Sequence, residues 1–332
     1  MKALVLADIN KNRLAEEFSG IDFHYKGYAI NNIVMKRIEL KEIIVQYDIL
    51  ISEFDTVDKE IIDAATNLKL IICCRGGVNT VIDVPYAEKK GIIVVNTPGR
   101  NADAVAEYVI GQIICNDRFL CITNELIHKD VLQNNKYIKP SEYRDSLWGM
   151  DDASPYHVYR GKGLKNIKLG IIGYGVVGSE VAKYAVKMGM KVMAYDHSPK
   201  KMIRGVKKTD FETLLQTADI ISVHCSNKNH KVLFSKEEFS LMRHGSIFIN
   251  TARGDLVDED ALIHSVHIGH ISKAILDVTR QEPLPINHKL IAEPNIILTP
   301  HIAGATDRVI DCGTEMVIEH MRNFLKRSFQ YE

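Results

Sequence analysis

The chain has 332 residues, 46% of them hydrophobic and 25% charged, an ordinary composition for a globular protein with room for two domains. Lys and Arg number 42, as do Asp and Glu, and this balance argues against a general nucleic-acid binder or a protein of acidic membrane surfaces. The apolar runs are too short to span a bilayer or form a signal peptide, so we expect a cytoplasmic protein without nucleic-acid or membrane partners.

Short apolar runs alternate with helical stretches along the first hundred residues. The strand candidates are residues 2–8, 21–26, 47–52, 68–74 and 91–96, of which 21–26 is the faintest. Helical stretches are expected over 57–65 and 80–90. The apolar runs lack strict alternation, which is typical of strands covered on both faces. This order predicts a doubly wound parallel sheet.

The second half repeats this α/β pattern after a long predicted helix over 102–128 and a polar region over 129–168. Its strand candidates are 168–173, 191–196, 219–225, 246–250, 273–278 and 295–299. The fold class predicted for the whole chain is therefore α/β, with two doubly wound parallel-sheet domains.

The six cysteines contain no C-x-x-C pair; they are Cys73, Cys74, Cys115, Cys121, Cys225 and Cys312. Most of them lie in apolar runs such as LIICC at 70–74. This pattern predicts reduced, buried thiols, as expected in the cytoplasm. We expect Cys73 and Cys74 to be strand core rather than nucleophiles.

A glycine-rich turn, GYGVVG, follows the predicted strand at 168–173 and opens a helix. Gly173 would permit the tight turn, Gly175 would let a pyrophosphate approach the backbone, and Gly178 would let helix and strand pack closely. The helix N-terminus supplies free N–H groups for phosphate. The strand–turn–helix–strand context indicates a dinucleotide site. The intervening candidate cofactor contacts are Tyr174, Val176 and Val177.

Asp196 ends the next strand, about 20 residues further on, where a carboxylate can bind ribose hydroxyls. Because a carboxylate would repel a 2′-phosphate, we expect NAD rather than NADP, a preference that Lys200 and Lys201 soften. FAD is the alternative cofactor, but FAD-binding versions of this turn usually lie near the N-terminus, and this one is mid-chain.

Three further stretches follow predicted strands: INTARGDLVDEDAL with Arg253, LDVTRQEPLP with Asp277 and Glu282, and LTPHIAGAT with His301. The carboxyl ends of strands are where open α/β sheets bind ligands, so Arg253, Glu282 and His301 could converge on one crevice.

Together with VVNTPGRNADAVAEYVIG at 94–111, these motifs make nearly the whole chain resemble the D-isomer-specific 2-hydroxyacid dehydrogenases. The resemblance implies a flavodoxin-like substrate-binding domain from residues 1–101 and 300–332. It implies a Rossmann NAD-binding domain over 102–299, with the active site in the cleft between the two domains.

The resemblance also implies the roles of the residues. Arg253 would hold the substrate carboxylate and polarise its 2-oxo group, for which a planar, always charged guanidinium is suited. His301 would be the general acid/base, and Glu282 would pair with its imidazole. No metal is expected, because Arg253 and the imidazolium already stabilise the developing alkoxide.

Further binding residues also come from the resemblance. The cofactor would be lined by His224, Cys225, Thr251, Ala252, Asp277 and Gly304. The substrate carboxylate would be gripped by backbone amides of the loop CCRGGVNTVID, at Arg75, Gly76, Gly77 and Val78.

The chain departs from the family pattern in three places. HCSNKNHK at 224–231 replaces the usual HxPLTxxT, so Cys225, Asn227 and His230 stand in near the adenosine side. The stretch 144–164 is longer than usual and would form a dimer arm, a lid or a surface insertion. The loop Glu53-Phe54-Asp55 is acidic where phosphoglycerate enzymes often carry an arginine, which weighs against 3-phosphoglycerate. An acidic residue of this loop would instead bind hydroxyls of a sugar acid or face water.

The predicted protein is a cytoplasmic homodimer, an NAD-dependent dehydrogenase that interconverts a D-2-hydroxy acid and its 2-oxo acid. One alternative is a phosphoglycerate dehydrogenase-type enzyme of serine synthesis. Another is an NAD(H)-sensing, corepressor-like binding protein, since fold alone does not fix function.

Overall fold

The computed structural model describes residues 1–129, 154–198, 200–226 and 231–328. These residues form two compact units, the first from 1–104 and 305–332 and the second from 105–304. Asn227, His230 and the part of the 144–164 stretch before Ser154 lie outside the described residues.

The first unit contains a five-stranded parallel sheet in the order β2-β1-β3-β4-β5. Its strands are β1 (Lys2–Leu6), β2 (Asp22–Tyr25), β3 (Ile49–Ser52), β4 (Leu70–Cys73) and β5 (Ile93–Asn96). Its helices are Lys11–Glu17, Tyr28–Asn31, Arg37–Ile43, Lys59–Ala64, Val84–Lys89 and Asp307–Ser328. This sheet confirms the predicted parallel architecture of the N-terminal part.

Both faces of this sheet are covered. Val5 and Ile51 pack on one face with Met321 of the C-terminal helix, whereas Leu4 and Leu50 pack on the other face. Burial on both faces explains why these strands read as continuous apolar runs.

The second unit contains a seven-stranded parallel sheet in the order β12-β11-β10-β9-β6-β7-β8. Its strands are β6 (Lys168–Ile172), β7 (Lys191–Tyr195), β8 (Val206–Lys208), β9 (Ile220–Val223), β10 (Ser246–Asn250), β11 (Ile271–Leu276) and β12 (Ile296–Leu298). Its helices are Leu120–His128, Pro155–Val158, Val176–Lys187, Phe211–Thr217, Lys236–Leu241, Glu259–His267 and Lys289–Ala292, and Ala102–Asp117 leads into it. The order reverses between β6 and β9, which is the Rossmann switch point beside which dinucleotides bind.

Two details of the predicted elements were wrong. The helix expected over 102–128 is two helices, Ala102–Asp117 and Leu120–His128, because Phe119 adopts the left-handed conformation with φ 54°. The edge strand β8 was not predicted; it has three residues, of which Lys207 and Lys208 are exposed, so it carries no apolar signal. Within the described ranges, no helix is both long and apolar enough to cross a membrane.

The expectation of buried thiols holds for Cys73 and Cys74 alone. Cys115, Cys225 and Cys312 are half-buried, and Cys121 is exposed. Cys121 escaped the prediction because it lies on Leu120–His128, a helix on which no residue is buried.

Candidate active site

The glycine turn between β6 and the helix Val176–Lys187 is shaped by close backbone contacts. Gly173 has φ +91°, and a Cβ there would lie 2.6 Å from the backbone nitrogen of Cys225. A Cβ on Gly178 would lie 2.0 Å from the carbonyl oxygen of Gly173. A Cβ on Gly175, in contrast, would meet no described heavy atom within 4 Å. The turn thus packs tightly at its two ends and leaves open space at its middle glycine.

The side chains within the turn differ in what they offer a ligand. Tyr174 is 5% exposed, and its hydroxyl accepts a hydrogen bond from the Ile203 backbone at 3.2 Å. Val177 is half-buried and packs into the core, whereas Val176 is 55% exposed. Only the backbone of Tyr174 is therefore offered to a cofactor, while Val176 presents its side chain.

Asp196 ties the end of β7 to the glycine turn. One carboxylate oxygen accepts the backbone N–H of Tyr174 at 2.7 Å, and the other accepts that of Ser198 at 2.9 Å. These bonds fix the carboxylate beside the turn, where carboxylates of this fold bind ribose hydroxyls. Lys200 and Lys201 are exposed nearby in the chain.

His224 and Cys225 follow β9 and line the other side of Gly173. The imidazole of His224 shares a hydrogen bond of 2.8 Å with the Ser222 hydroxyl, and the Thr251 hydroxyl lies 3.5 Å away. Burial lowers the pKa of His224 to about 3 and raises that of Cys225 to about 11. His224 is therefore a neutral ring and Cys225 a protonated thiol, so neither is equipped for acid/base or nucleophilic chemistry at neutral pH.

His301 and Glu282 form a pair in two loops of the second unit. Nδ1 of His301 lies 2.7 Å from Oε2 of Glu282, and the other oxygen of Glu282 accepts the Thr279 backbone N–H at 3.1 Å. The two side chains are 54% and 38% exposed. With Nδ1 held by the carboxylate, Nε2 is the nitrogen that can exchange a proton with a substrate.

The loop that carries His301 is organised by the buried carboxylate of Asp277. This carboxylate accepts hydrogen bonds from the hydroxyl of Thr299 at 2.7 Å and from the backbone of Ile302 and Ala303 at 2.8 Å each. The His301 backbone also donates to the Asp277 carbonyl at 2.9 Å. His301 itself has φ 57°, a left-handed conformation that this network holds in place.

Two residues of this network were missed from the sequence. The Tyr108 hydroxyl lies 2.6 Å from the Thr299 hydroxyl, and Thr299 in turn donates to Asp277. The signal for Thr299 is its position two residues before His301. Tyr108 lies 191 positions away in the chain, which no local pattern reveals.

Arg253 lies in the loop after β10, the strand next to β11. Asn250 braces this loop: its amide donates to the Arg253 carbonyl at 2.8 Å, and its oxygen accepts the Ala252 N–H at 2.9 Å. A Cβ on Gly254 would lie 2.0 Å from the carbonyl carbon of Thr279, so this loop packs directly on the loop of Glu282. Arg253 is exposed and donates one hydrogen bond to the Ala252 carbonyl at 2.6 Å.

Arg253, Glu282 and His301 thus follow the three adjacent strands β10, β11 and β12 at one edge of the sheet. Thr251 and Gly304, two further predicted cofactor contacts, are half-buried at the same edge, and Ala252 is buried. The structure therefore brings the predicted catalytic set onto neighbouring loops of one unit.

In the first unit, the predicted substrate loop follows β4. Gly76 and Gly77 have open space where a Cβ would stand, and Val78 is half-buried. The Asn96 side chain donates to the Gly76 carbonyl at 2.8 Å. The guanidinium of Arg75 lies 5.2 Å from the centre of the Phe54 ring, a cation–π contact that holds it beside the loop.

The expectation that an acidic residue of the loop Glu53-Phe54-Asp55 faces water or offers a free carboxylate to a sugar acid was wrong. Asp55 is buried, and its carboxylate accepts hydrogen bonds from the Met35 backbone and the Ser52 hydroxyl. The Glu53 side chain is 6% exposed and forms an ion pair with Arg100, itself 15% exposed. Burial raises the pKa of Glu53 even though the Arg100 charge opposes the shift. The Glu53 carboxylate is therefore held in an internal ion pair.

Comparison with known proteins identifies the family. The NAD-binding domain of the D-isomer specific 2-hydroxyacid dehydrogenases matches residues 132–303. A glyoxylate reductase of Thermofilum pendens is 37% identical over 82% of this chain and 76% of its own length. A hydroxypyruvate reductase of Thermotoga maritima is 34% identical, over 82% and 83%. A D-lactate dehydrogenase of Aquifex aeolicus, solved with NAD and lactic acid, superposes with a TM-score of 0.72 at 25% identity, covering 99% of this chain and 97% of that one.

The chain belongs to the D-isomer specific 2-hydroxyacid dehydrogenase family. It is an NAD-dependent oxidoreductase that interconverts a D-2-hydroxy acid and the corresponding 2-oxo acid. This result confirms the predicted enzyme class, fold and cofactor.

Proposed function

We propose that the enzyme reduces a small 2-oxo acid of the glyoxylate and hydroxypyruvate type, with His301 as the proton donor. The observation that carries this proposal is the 2.7 Å contact between His301 and a Glu282 carboxylate that is itself oriented by Thr279. The names of the two reductases support the choice of a short substrate.

The residues divide the chemistry among them. Arg253 binds the substrate carboxylate and polarises the 2-oxo oxygen with charged, planar donors. Nε2 of His301 donates a proton to that oxygen, and the Glu282 carboxylate stabilises the imidazolium and fixes the ring. The open amides of Gly76, Gly77 and Val78, beside Arg75, bind the substrate carboxylate. When bound, NADH supplies the hydride to carbon 2 of the substrate.

The glycine turn fits a dinucleotide. The space at Gly175 admits a pyrophosphate close to the backbone, and the first turn of Val176–Lys187 offers N–H groups that no side chain of the described residues caps. Asp196 would accept ribose hydroxyls, which favours NADH over NADPH. We further propose His224, Cys225, Thr251, Ala252, Asp277 and Gly304 as the wall of the nicotinamide and adenosine sites. In this scheme residues 102–299 bind NAD, and 1–101 with 300–332 bind the substrate.

We also propose that the enzyme is a cytoplasmic homodimer. The six free cysteines agree with a reducing compartment. Sedimentation of the purified chain tests the dimer directly.

The test of the proposed reaction is NADH oxidation against glyoxylate, hydroxypyruvate, 3-phosphohydroxypyruvate and a sugar-derived 2-oxo acid. We expect the two short, unphosphorylated acids to give the highest kcat/KM, and NADPH to be used less well than NADH. A preference for the phosphorylated acid would instead favour the phosphoglycerate-type alternative. Tight NADH binding without turnover of any acid would favour a corepressor-like binding protein.

A further inference from the structure

Two cysteines of the second unit lie in contact. The Sγ atoms of Cys115 and Cys121 are 3.0 Å apart. Cys115 is near the end of the helix Ala102–Asp117, and Cys121 is the second residue of Leu120–His128. A disulfide has an S–S distance of about 2.0 Å, so a further approach of about 1 Å would join the two sulfurs.

This contact depends on the break between the two helices. In one continuous helix, residues six apart would be separated by roughly 9 Å along the axis and would point to different sides. The left-handed backbone of Phe119 ends the first helix, so that the second helix, Leu120–His128, begins in a new direction. Phe119 is in turn held by its ring, which meets Tyr159 edge-on with centroids 5.7 Å apart. The fold therefore brings together two cysteines that no sequence motif connects.

The pair is also more reactive by position than the other thiols of its unit or the buried thiols of the first unit. Cys121 is exposed and Cys115 half-buried, whereas Cys73 and Cys74 are buried. Burial raises the pKa of Cys73 and of Cys225 to about 11 each, which keeps them protonated. The hydrogen bond with Cys115 also raises the pKa of Cys121, so the two thiols interact directly.

We propose that Cys115 and Cys121 are a redox-responsive dithiol that closes to a reversible disulfide under peroxide. The thiolate of one cysteine attacks a peroxide oxygen, breaking the O–O bond and leaving a sulfenic acid and hydroxide. The sulfur of the other cysteine then attacks the sulfenic sulfur, forming the S–S bond and releasing the second oxygen as water. Two thiols and one hydrogen peroxide thus give one disulfide and two waters, and a small dithiol restores both thiols.

Arg118 makes the bridge directly measurable, because trypsin cleaves after it and separates the two cysteines into different peptides. The reduced full-length protein is treated with increasing hydrogen peroxide, alkylated and digested without reductant. We expect the peptide 101–118 to appear joined to 119–129, with a loss of two free thiols out of six, before any other cysteine is modified. Dithiothreitol should return both peptides.

Matched variants distinguish a specific pair from general oxidation. Cys121→Ser and Cys115→Ser should each abolish the joined peptide, while Cys312→Ser, which removes a half-buried thiol of the first unit, should leave it unchanged. Circular dichroism of the reduced variants confirms that they fold. The proposal is overturned if Cys121 is oxidised to sulfinic acid without the joined peptide, or if Cys121 links between two molecules instead.

Discussion

The two parallel sheets each place a buried carboxylate at the carboxyl end of a strand, but they satisfy it differently. Asp277, after β11, accepts from one hydroxyl and two backbone amides, all uncharged donors. Glu53, after β3, is paired with the charge of Arg100, and its Oε2 is buried with no hydrogen-bond partner among the described residues. Neutral donors anchor the loop of His301, whereas the ion pair bears the cost of taking two charges out of water.

The difference has a consequence for pH. Because burial raises the pKa of Glu53, the folded state binds its proton more tightly than the unfolded state. That contribution to stability is present below the ordinary carboxyl value of 4.5 and is lost as the pH rises through the folded pKa. The second unit has the opposite behaviour at His224, whose neutral ring favours folding at higher pH.

A large effect on activity is expected at Arg253, in the exposed loop after β10 of the second sheet. Arg253→Ala should lower kcat/KM for the 2-oxo acid by about 10²–10³-fold, since the proposed role of Arg253 is to stabilise the developing alkoxide with its charge. The unfolding temperature should not change, because Arg253 is exposed. Arg280→Ala, an exposed arginine on the neighbouring loop, is the control and should retain activity. An equal loss of kcat/KM in both variants would show that Arg253 has no specific role in the reaction.

Breaking the ion pair of the first unit should cost the most stability. Arg100→Met leaves the Glu53 charge buried and should lower the free energy of unfolding by about 3–5 kcal/mol. The double variant Glu53→Leu/Arg100→Met should recover most of this loss, because neither charge is then buried. Urea unfolding measures both, and a double variant as unstable as the single one would show that packing, not charge, is the cause.

Asp277→Asn should lower the free energy of unfolding less than Arg100→Met does, because the amide keeps one acceptor oxygen. We expect a loss of about 1–3 kcal/mol, since one of the donors, such as the Ala303 amide, loses its acceptor. Turnover should also fall, as the loop of His301 loses its anchor. If urea unfolding shows Asp277→Asn to cost more than Arg100→Met, the contrast between the two carboxylates is wrong.

His224 should give an effect on stability that is seen only in acid. Its pKa is lowered by burial from 6.5 to about 3, so the stability it contributes is present above 6.5 and is lost as the pH falls toward 3. The expected slope is at most about 1.4 kcal/mol per pH unit. His224→Gln should flatten this slope in urea titrations between pH 7 and 4, whereas His244→Gln, an exposed site, should leave it as in the wild type.

Much of the fold and of the candidate site can be predicted from short stretches of the sequence. All strands but β8 follow from short patterns, as do the spacing from Gly173 to Asp196 and the placement of Arg253, Glu282 and His301 after successive strands. The misses are of two kinds. The left-handed conformation of Phe119 has no sequence signal, because the residue is not a glycine. Contacts such as Glu53 with Arg100 and Tyr108 with Thr299 join residues 47 and 191 positions apart. Such pairs are set by tertiary packing, which a single sequence does not display.

The proposed role of His301 as the proton donor positioned by Glu282 is tested most directly by one variant. His301→Gln keeps a polar side chain of similar size but cannot exchange a proton near neutral pH. We predict that kcat for glyoxylate or hydroxypyruvate falls by about 10²–10⁴-fold while the dissociation constant for NADH, measured by fluorescence titration, stays at the wild-type value. A parallel loss of turnover and NADH affinity would contradict the account and make His301 a structural residue of its loop.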